Sequence, residues 1–576
     1  MSLPLPLLDR LTGGARPYLL LTLFSLMLFL PGLADLPPLD RDESRFMQAT
    51  RQMLETGDFI RIQFQGEMRA KKPAGAYWLQ AASVGALSHP ASTQAWPYRL
   101  PSLLAAWAAV LMTFGFGRAL VGERPALLAA VLLASSTMLA SEAHQAKTDA
   151  VLLALVVAAQ GILARFYVAA RARDMAGAGG GGCGGGGCGT AVPAALAVAM
   201  PGVGEALLFW LVQGAAILVK GPVVPVISLL TVAALGIADR SVRWLVPLKP
   251  MLGPLVAAAI AAPWFAAVSQ ATGGAFVGEA VKGDLLPKLL GAHESHGGFP
   301  GLYLLLASVL FWPGSLLLWP ALTRAWQQRG RLVFRVLLAW AVPTWVMFEL
   351  IPTKLPHYVL PAFPALALMV AALVCEGLDS FRHRAARLWY GLWCVVGLVL
   401  AGLVVALPIK LGGGFHWLSV PAAAGIVLAT LLPAVLAIGG RPVPAALALG
   451  LTALATYPVL FHGVLPSLER MFLSRGVARV VGLIGSDGPV VAAGFSEPSL
   501  VFLLGTDTAF GDGAAAADHL AAHRRTLAVV EGRQQAAFDR RAAELGLAVE
   551  SFASVAGINY SRGKPAVLTV IGITAP

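Results

Sequence analysis

Thirteen apolar segments of membrane-crossing length run through this chain. They lie near 17–34, 99–119, 123–141, 146–168, 203–219, 221–238, 251–269, 301–320, 332–350, 357–375, 388–408, 416–438 and 442–461. A helix needs about 17–25 apolar residues to cross the hydrocarbon core. Backbone inside lipid must satisfy its own hydrogen bonds, so such a chain is confined to a bundle of helices. Only 12% of its 576 residues are charged and 57% are hydrophobic, whereas soluble domains carry roughly 25% charged residues. The expected fold class is an all-α polytopic membrane protein with about 13 transmembrane helices, within residues 1–461. Residues 203–219 and 221–238 read either as two spans or, with Lys220-Gly221-Pro222 between them, as one re-entrant unit. The first segment has a basic flank, Arg10 and Arg16, and a weakly cleavage-like Gly32-Leu33-Ala34. It is read as a retained helix because many spans follow it.

The net charge of +12 does not point to nucleic acid, because the bases form small groups between apolar runs rather than one stripe. With the N-terminus cytoplasmic, alternate connections hold Arg118/Arg124, Arg165/Arg171/Arg173, Arg240/Arg243/Lys249, Arg324/Arg329/Arg331/Arg335, Arg382/Arg384/Arg387 and Arg441. That is the positive-inside pattern. The long connections 35–98 and 270–300 and the tail 462–576 then lie outside. Asp42, Glu43, Lys72, Asp149, Lys220, His293, Glu294, His296 and Lys354 all fall on or beside that external face. Polar groups at membrane depth are costly and are usually kept for function.

Outside the spans, residues 171–200 form a Gly-rich cytoplasmic linker. Its Cys183 and Cys188 have no neighbouring His or further Cys and are read as loop thiols rather than a metal or redox pair. Cys375 and Cys394 lie in apolar segments, so no disulfide framework is expected. The tail loses the membrane pattern and reads as a small α/β domain. Strands are expected at Val490–Phe495, Leu500–Leu504, Leu527–Glu531, Ala548–Val555 and Ala566–Ile573, with helices near Ala514–Arg524 and Gln534–Leu545. It has no Gly-rich nucleotide fingerprint.

Within the first external loop, Asp40-Arg41-Asp42-Glu43-Ser44-Arg45 is followed some 30 residues later by Lys71-Lys72-Pro73. Glu43–Thr56 and Tyr77–Leu87 have the spacing of amphipathic helices on the membrane surface. Asp42 stands at a helix N-cap position and Glu43 in the favourable first turn, which is a structural account of both. A cap does not require Arg45 or the nearby lysines, so a chemical role is also open. Asp149 also stands at a helix start. Lys220 and Lys354 read as interfacial anchors that snorkel toward the headgroups. His293 and His296, three apart, are solvated loop histidines or a pair for a divalent metal ion; no cofactor is otherwise expected.

These motifs resemble those of polyprenyl-phosphate-dependent GT-C glycosyltransferases, and in particular the lipid A 4-amino-4-deoxy-L-arabinose transferase family, related to the protein O-mannosyltransferases. Asp42-Glu43-Ser44-Arg45-Phe46 is similar to that group's Asp-Glu-x-Arg-Tyr. Gly57-Asp58-Phe59-Ile60, Gly66 and Lys71-Lys72-Pro73-Ala74-Gly75-Ala76-Tyr77-Trp78-Leu79 resemble its Gly-Asp-Trp, Asn-Gly and Glu-Lys-Pro-Pro-Leu-x-Tyr-Trp. Lys147-Thr148-Asp149, Leu218-Val219-Lys220-Gly221-Pro222, Pro263-Trp264-Phe265 and Lys354-Leu355-Pro356-His357-Tyr358-Val359-Leu360-Pro361 follow in family order. The departures are Phe46 for Tyr, Lys71 for an acid and Ala74 for Pro.

The resemblance implies transfer of a sugar from a polyprenyl phosphate to lipid A or another outer-leaflet acceptor, at a bacterial inner membrane. Asp42, Asp149 and Glu43 are the implied catalytic acids. Arg45, Lys72, Lys354, Tyr358 and Lys220 are the implied ligands for the donor's phosphate or sugar. The partners are the lipid-linked donor, the acceptor and the bilayer. Another sugar or acceptor, protein hydroxyls included, stays open. A transporter or flippase is disfavoured, because the charges sit at helix ends on one face without an evident repeat.

Overall fold

The computed structural model describes residues 12–178, 200–285, 287, 297–377 and 379–574. Most of the Gly-rich linker, with Cys183 and Cys188, lies outside the described residues, as do His293, Glu294 and His296.

The membrane part is helical throughout, and each of the thirteen apolar segments carries helix. In order these are α1 (Arg16–Phe29), α4 (Trp96–Val121), α5 (Glu123–Ala134), α6 (Thr137–Ala143), α7 (Asp149–Ala178), α8 (Val203–Lys220), α9 (Val223–Asp239) and α10 (Gly253–Ala271). There follow α11 (Leu302–Leu310), α12 (Ser315–Gln327), α13 (Leu332–Leu350), α14 (Phe363–Glu376), α15 (Arg384–Leu411), α16 (Ser419–Ile438) and α17 (Pro442–Val459). Between α1 and α4 the first loop forms α2 (Asp42–Thr56), a short hairpin β1 (Gln63–Phe64) and β2 (Glu67–Met68), and α3 (Gly75–Leu87).

Thirteen full-length spans is too simple a count. Among the described residues nine helices are long and apolar enough to cross a bilayer, or ten if α5 and α6 form one path bent by 63°. The bend has a local cause: Ser136 leaves the helix, and its hydroxyl accepts from the Leu139 amide to cap a new start. The segment 301–320 is likewise broken into α11 and α12, and α1 and α9 are apolar but short. α8 and α9 are separate helices divided at Gly221, whose φ of +63° suits glycine.

Helix α14 is the buried axis of the bundle, with every residue from Phe363 to Val374 buried. In α15, by contrast, Leu388, Leu392, Val395 and Val399 are exposed as on a lipid-facing helix. The first-loop helices form where their spacing predicts, but α2 does not rest on lipid. All of Glu43 to Met53 except the half-buried Arg45 are buried, because the helix lies between α3, where Thr50 donates to Gln80, and the C-terminal domain. Gln48 reaches the Thr506 hydroxyl at 2.8 Å, Arg51 donates to the Phe502 carbonyl at 3.1 Å, and Tyr98 meets the Phe502 ring edge-on.

That C-terminal domain is a five-stranded sheet in the order β4-β3-β5-β7-β6, formed by β3 (Val491–Ala493), β4 (Ala509–Gly511), β5 (Leu527–Glu531), β6 (Val549–Asn559) and β7 (Lys564–Ile573). β3 runs parallel to β4 and β5, while β7 is antiparallel to β5 and β6. Alternate residues serve opposite faces. Ala492, Leu527, Val529 and Val570 pack with α18 (Leu473–Ile484) and α19 (Pro498–Leu504). Val491, Ala528, Val530 and Ile571 pack with α20 (Gly513–Ala522) and α21 (Gln535–Glu544). The expected strand at Leu500–Leu504 is the helix α19. Pro498, pre-set for a first helical turn, starts it, and a short apolar run alone does not distinguish strand from helix.

Candidate active site

A cavity of about 580 Å³ opens where the start of α2, the α6–α7 connection, the end of α8, the Thr353–Tyr358 segment and Tyr560 of the tail domain meet. Asp42, Glu43, Arg45, Lys72, Asp149, Lys220 and Tyr358 line it, so seven of the expected site residues converge. Arg69, Lys71, Glu142, Lys147 and His357 line it as well.

Asp42 is the first helical residue of α2 rather than its N-cap; the cap position belongs to Arg41, whose side chain does not cap the helix. The Asp42 carboxylate is thereby left to the cavity, with its side chain 52% exposed and Arg69 Nη2 3.9 Å away. Enclosure in the cavity works to raise its pKa, but the charges of Arg69, Lys147, Lys72 and His357 outweigh it and hold the carboxyl below its ordinary range. Arg69 is itself aligned: it lies over the Phe46 ring at 5.5 Å, and its Nε donates to the Tyr77 hydroxyl at 3.1 Å. Phe46 stacks on Tyr77 at 4.8 Å. The aromatic ring at position 46 therefore supports a cation.

Glu43 has a different task. Its carboxylate takes a bidentate bond from Arg99, at 2.8 and 3.0 Å, and accepts the amides of Leu39 and Ala146. Arg99 spends its other hydrogens on the carbonyls of Leu33, Leu36 and Pro37. The pair is 0% and 1% exposed, and all its bonding capacity is used. The geometry thus gives Glu43 no chemistry to do; it clamps the first loop to the α6–α7 connection and so places Asp42 opposite Asp149.

The opposite wall is a charge network, in which one buried oxygen of Glu142 has no hydrogen-bond partner. Asp149, at the start of α7, accepts from Lys220 and lies 3.6 Å from His357 Nε2. Glu142 accepts from Lys147 at 3.0 Å and lies 3.8 Å from His357 Nδ1. Lys220 also faces the Tyr358 ring at 5.5 Å.

Lys354 is turned away from this cavity. Its ammonium donates to the carbonyls of Phe348, Glu349 and Ile351 at 3.2, 2.7 and 2.9 Å. Three hydrogens meet three acceptors at the C-terminal end of α13, a favourable place for a cation. Lys354 therefore anchors the segment carrying His357 and Tyr358 and has no hydrogen left for a phosphate. His293 and His296 fall outside the described residues. Among the described residues no group of three or more His, Cys, Asp or Glu is arranged to hold a metal ion.

Residues 17–271 match the family of dolichyl-phosphate-mannose-protein mannosyltransferases. An undecaprenyl phosphate-alpha-4-amino-4-deoxy-L-arabinose arabinosyl transferase of Edwardsiella ictaluri is 27% identical over 64% of this chain and 61% of its own length. The enzyme of that name from Aeromonas hydrophila is 28% identical over 66% of this chain and 65% of its own. The chain thus spans less than two thirds of the length of these relatives. The crystal structure of ArnT from Cupriavidus metallidurans bound to undecaprenyl phosphate superposes with a TM-score of 0.69 at 18% identity, covering 97% of this chain and 98% of that one. The apo form gives 0.68. The chain shares the fold of that ArnT structure.

Several residues of this cavity escaped the reading of the sequence. Lys147 and His357 stood within quoted motifs, next to Asp149 and Tyr358, and their membership could have been seen there. Glu142 is an acid at the very end of an apolar segment, which is itself a signal. Arg69 lies two residues before Lys71. Tyr560 left no local trace, because only docking of the tail domain brings it to the cavity.

Proposed function

We propose that this protein transfers a sugar, an aminopentose such as 4-amino-4-deoxy-L-arabinose, from undecaprenyl phosphate to a lipid A phosphate at the external face of the bacterial inner membrane. The carrying observation is the cavity: two acid centres, Asp42 and Asp149, ringed by Arg45, Arg69, Lys71, Lys72, Lys147 and Lys220. The matched relatives are named for arabinosyl transfer involving that lipid phosphate, and the solved ArnT of this fold holds it. The basic connections support a cytoplasmic N-terminus and an external tail.

The chemistry follows from charge. The bond from the anomeric carbon to the donor phosphate oxygen breaks, and its electron pair leaves with the phosphate. Lys72 and Arg45 hold the charge that develops there. A lone pair of the acceptor phosphate forms the new bond, and because that oxygen is already anionic near neutral pH the step needs no strong base. Asp42, exposed and ionised, faces the carbon as it gains oxocarbenium character. Asp149 is committed to Lys220 and His357 and orients those groups. Side-chain cations balance the charge in this scheme. Retained turnover after EDTA treatment would agree with it, and loss restored by a divalent ion would place a metal at the site.

The test is mass spectrometry of lipid A from cells with and without the protein, together with turnover of purified protein on the lipid-linked donor. A phosphate substituent that depends on the protein is expected. Identical lipid A in both strains, with transfer found instead to a protein hydroxyl, would overturn the acceptor assignment. Counterflow of a solute without a covalent product would overturn the reaction class.

A further inference from the structure

One residue of the cavity lining, Tyr560, comes from the tail. The turn joining β6 and β7 puts Tyr560 against the strap Leu39–Asp42, and the tyrosine lines the cavity beside Asp42 and Arg41. Its hydroxyl accepts the Asp40 amide at 2.5 Å. On the next residue, the Ser561 carbonyl accepts from the Arg41 guanidinium. The Asp40 carboxylate accepts from Ser499, whose hydroxyl also bonds Ser474 at 2.6 Å. The turn is anchored in turn, since the buried Asn559 amide donates to Glu497 at 2.8 Å and Asn559 accepts the Arg562 amide at 3.1 Å.

These contacts meet a strained point in the chain. Arg41 has φ +65° and ψ −113°, a conformation that residues with a Cβ rarely adopt. Such strain costs on the order of 1–3 kcal/mol and persists only where the surroundings over-determine it. Here the strap is gripped from both sides. From the bundle side, Glu43 takes the Leu39 amide, and the Ser44 amide and hydroxyl bond the Leu39 carbonyl. From the tail side come Tyr560, Ser561 and Ser499. The turn at Arg41 makes Asp42 the first helical residue with its carboxylate facing the cavity. A relaxed strap would let that carboxylate swing away from Arg69.

We infer that the β6–β7 turn completes the cavity and that Tyr560, through the Asp40 amide, is a positioning residue for the Asp42 carboxylate. The inference rests on the transferase reading for its activity readout. It gives the tail domain a place in the reaction rather than beside it: undocking the turn frees the strap and disperses the acid from the cations that face it. Tyr560 touches the reacting groups only through this strap, so its removal is expected to act on turnover more than on donor affinity.

The experiment uses the full chain in nanodiscs and the variants Tyr560→Phe and Tyr560→Ala. Hydrogen–deuterium exchange is followed in residues 39–46 and in the tail sheet, and kcat and KM are measured for the undecaprenyl-phosphate-linked sugar. Loss of the one acceptor is expected to speed exchange of the strap and lower kcat about tenfold in Tyr560→Phe, with more in Tyr560→Ala. Exchange of the sheet and the donor KM stay at wild-type values. Wild-type exchange in the strap overturns the inference, as does faster strap exchange with unchanged kcat. Faster exchange across the whole sheet reduces Tyr560 to a folding residue and overturns it too. If the wild type itself turns over no donor, the transferase reading fails, while strap exchange still decides whether Tyr560 holds the strap.

Discussion

The two walls of the cavity hold their charges in opposite ways. On the loop-borne wall Asp42 is half exposed, and the nearest cation, Arg69, stands 3.9 Å off. On the membrane-borne wall Asp149 is 5% exposed and Glu142 1%, and both are tied to lysines with His357 between them. A carboxylate that is ionised but lightly bonded is free to face a developing positive charge. One that is locked in a buried pair holds its partners in place. On the proposed transferase reading the exposed wall takes part in the reaction and the buried wall preorganises it, and variants on each side should fail in different ways.

The largest effect is expected beneath the loop wall. Glu43→Ala strands Arg99 as a buried charge, and breaking such a pair costs about 3–5 kcal/mol. The expected outcome is a large fall in the thermal midpoint and in the yield of folded protein. Folded, fully active Glu43→Ala protein would show that the clamp does not support Asp42. Asp149→Asn comes next. It leaves Lys220 and His357 without their acid, so turnover and thermal midpoint should fall together. A normal midpoint with lost turnover would move Asp149 to the reactive side of the comparison.

Asp42→Asn should separate the two walls most cleanly. Removing one preorganised charge-stabilising group costs about 10²–10³-fold in kcat, and with its side chain 52% exposed and Arg69 3.9 Å away the midpoint should fall far less than in Glu43→Ala or Asp149→Asn. Because neighbouring cations hold its carboxyl below the ordinary range, Asp42 stays ionised as pH falls through about 4. The acid limb of the turnover profile should therefore lie below that point. Near wild-type turnover in Asp42→Asn would remove Asp42 from the reaction.

How far such roles are legible in a sequence depends on how local their causes are. The bundle was readable because lipid forces apolar length into every span. The acids and lysines of 42–72 were readable because charge stands out in an oily chain. What a charge is doing was not readable, since it depends on distant partners. Arg99, which consumes Glu43, lies 56 residues downstream and looks like an ordinary interfacial flank. Lys354 reads as an anion ligand until its three hydrogens are found on the end of α13. Asp42 reads as an N-cap until the strained Arg41 takes that position. The break at Ser135-Ser136 is similarly hidden, because serine is tolerated inside a span and starts a new helix only when the chain must turn.

The smallest expected effect is a slope with pH in the docking of the tail, close to the exposed wall. Burial and the charge of Glu497 push the Asp40 carboxyl up to about 7, against the opposing pull of its Ser499 bond and of Arg41. Tyr560 also faces it. An acid whose folded pKa is raised binds its proton more tightly in the docked state. Docking is then firmest below about pH 4 and weakens as pH rises toward 7, with little further change above. Asp40→Asn keeps an acceptor for Ser499 but carries no charge, so it should flatten that slope. Hydrogen exchange of residues 39–46 at pH 5 and pH 8, with rates corrected for the intrinsic effect of pH, reads it directly. Equal slopes in wild type and Asp40→Asn would mean that the seam does not respond to this proton.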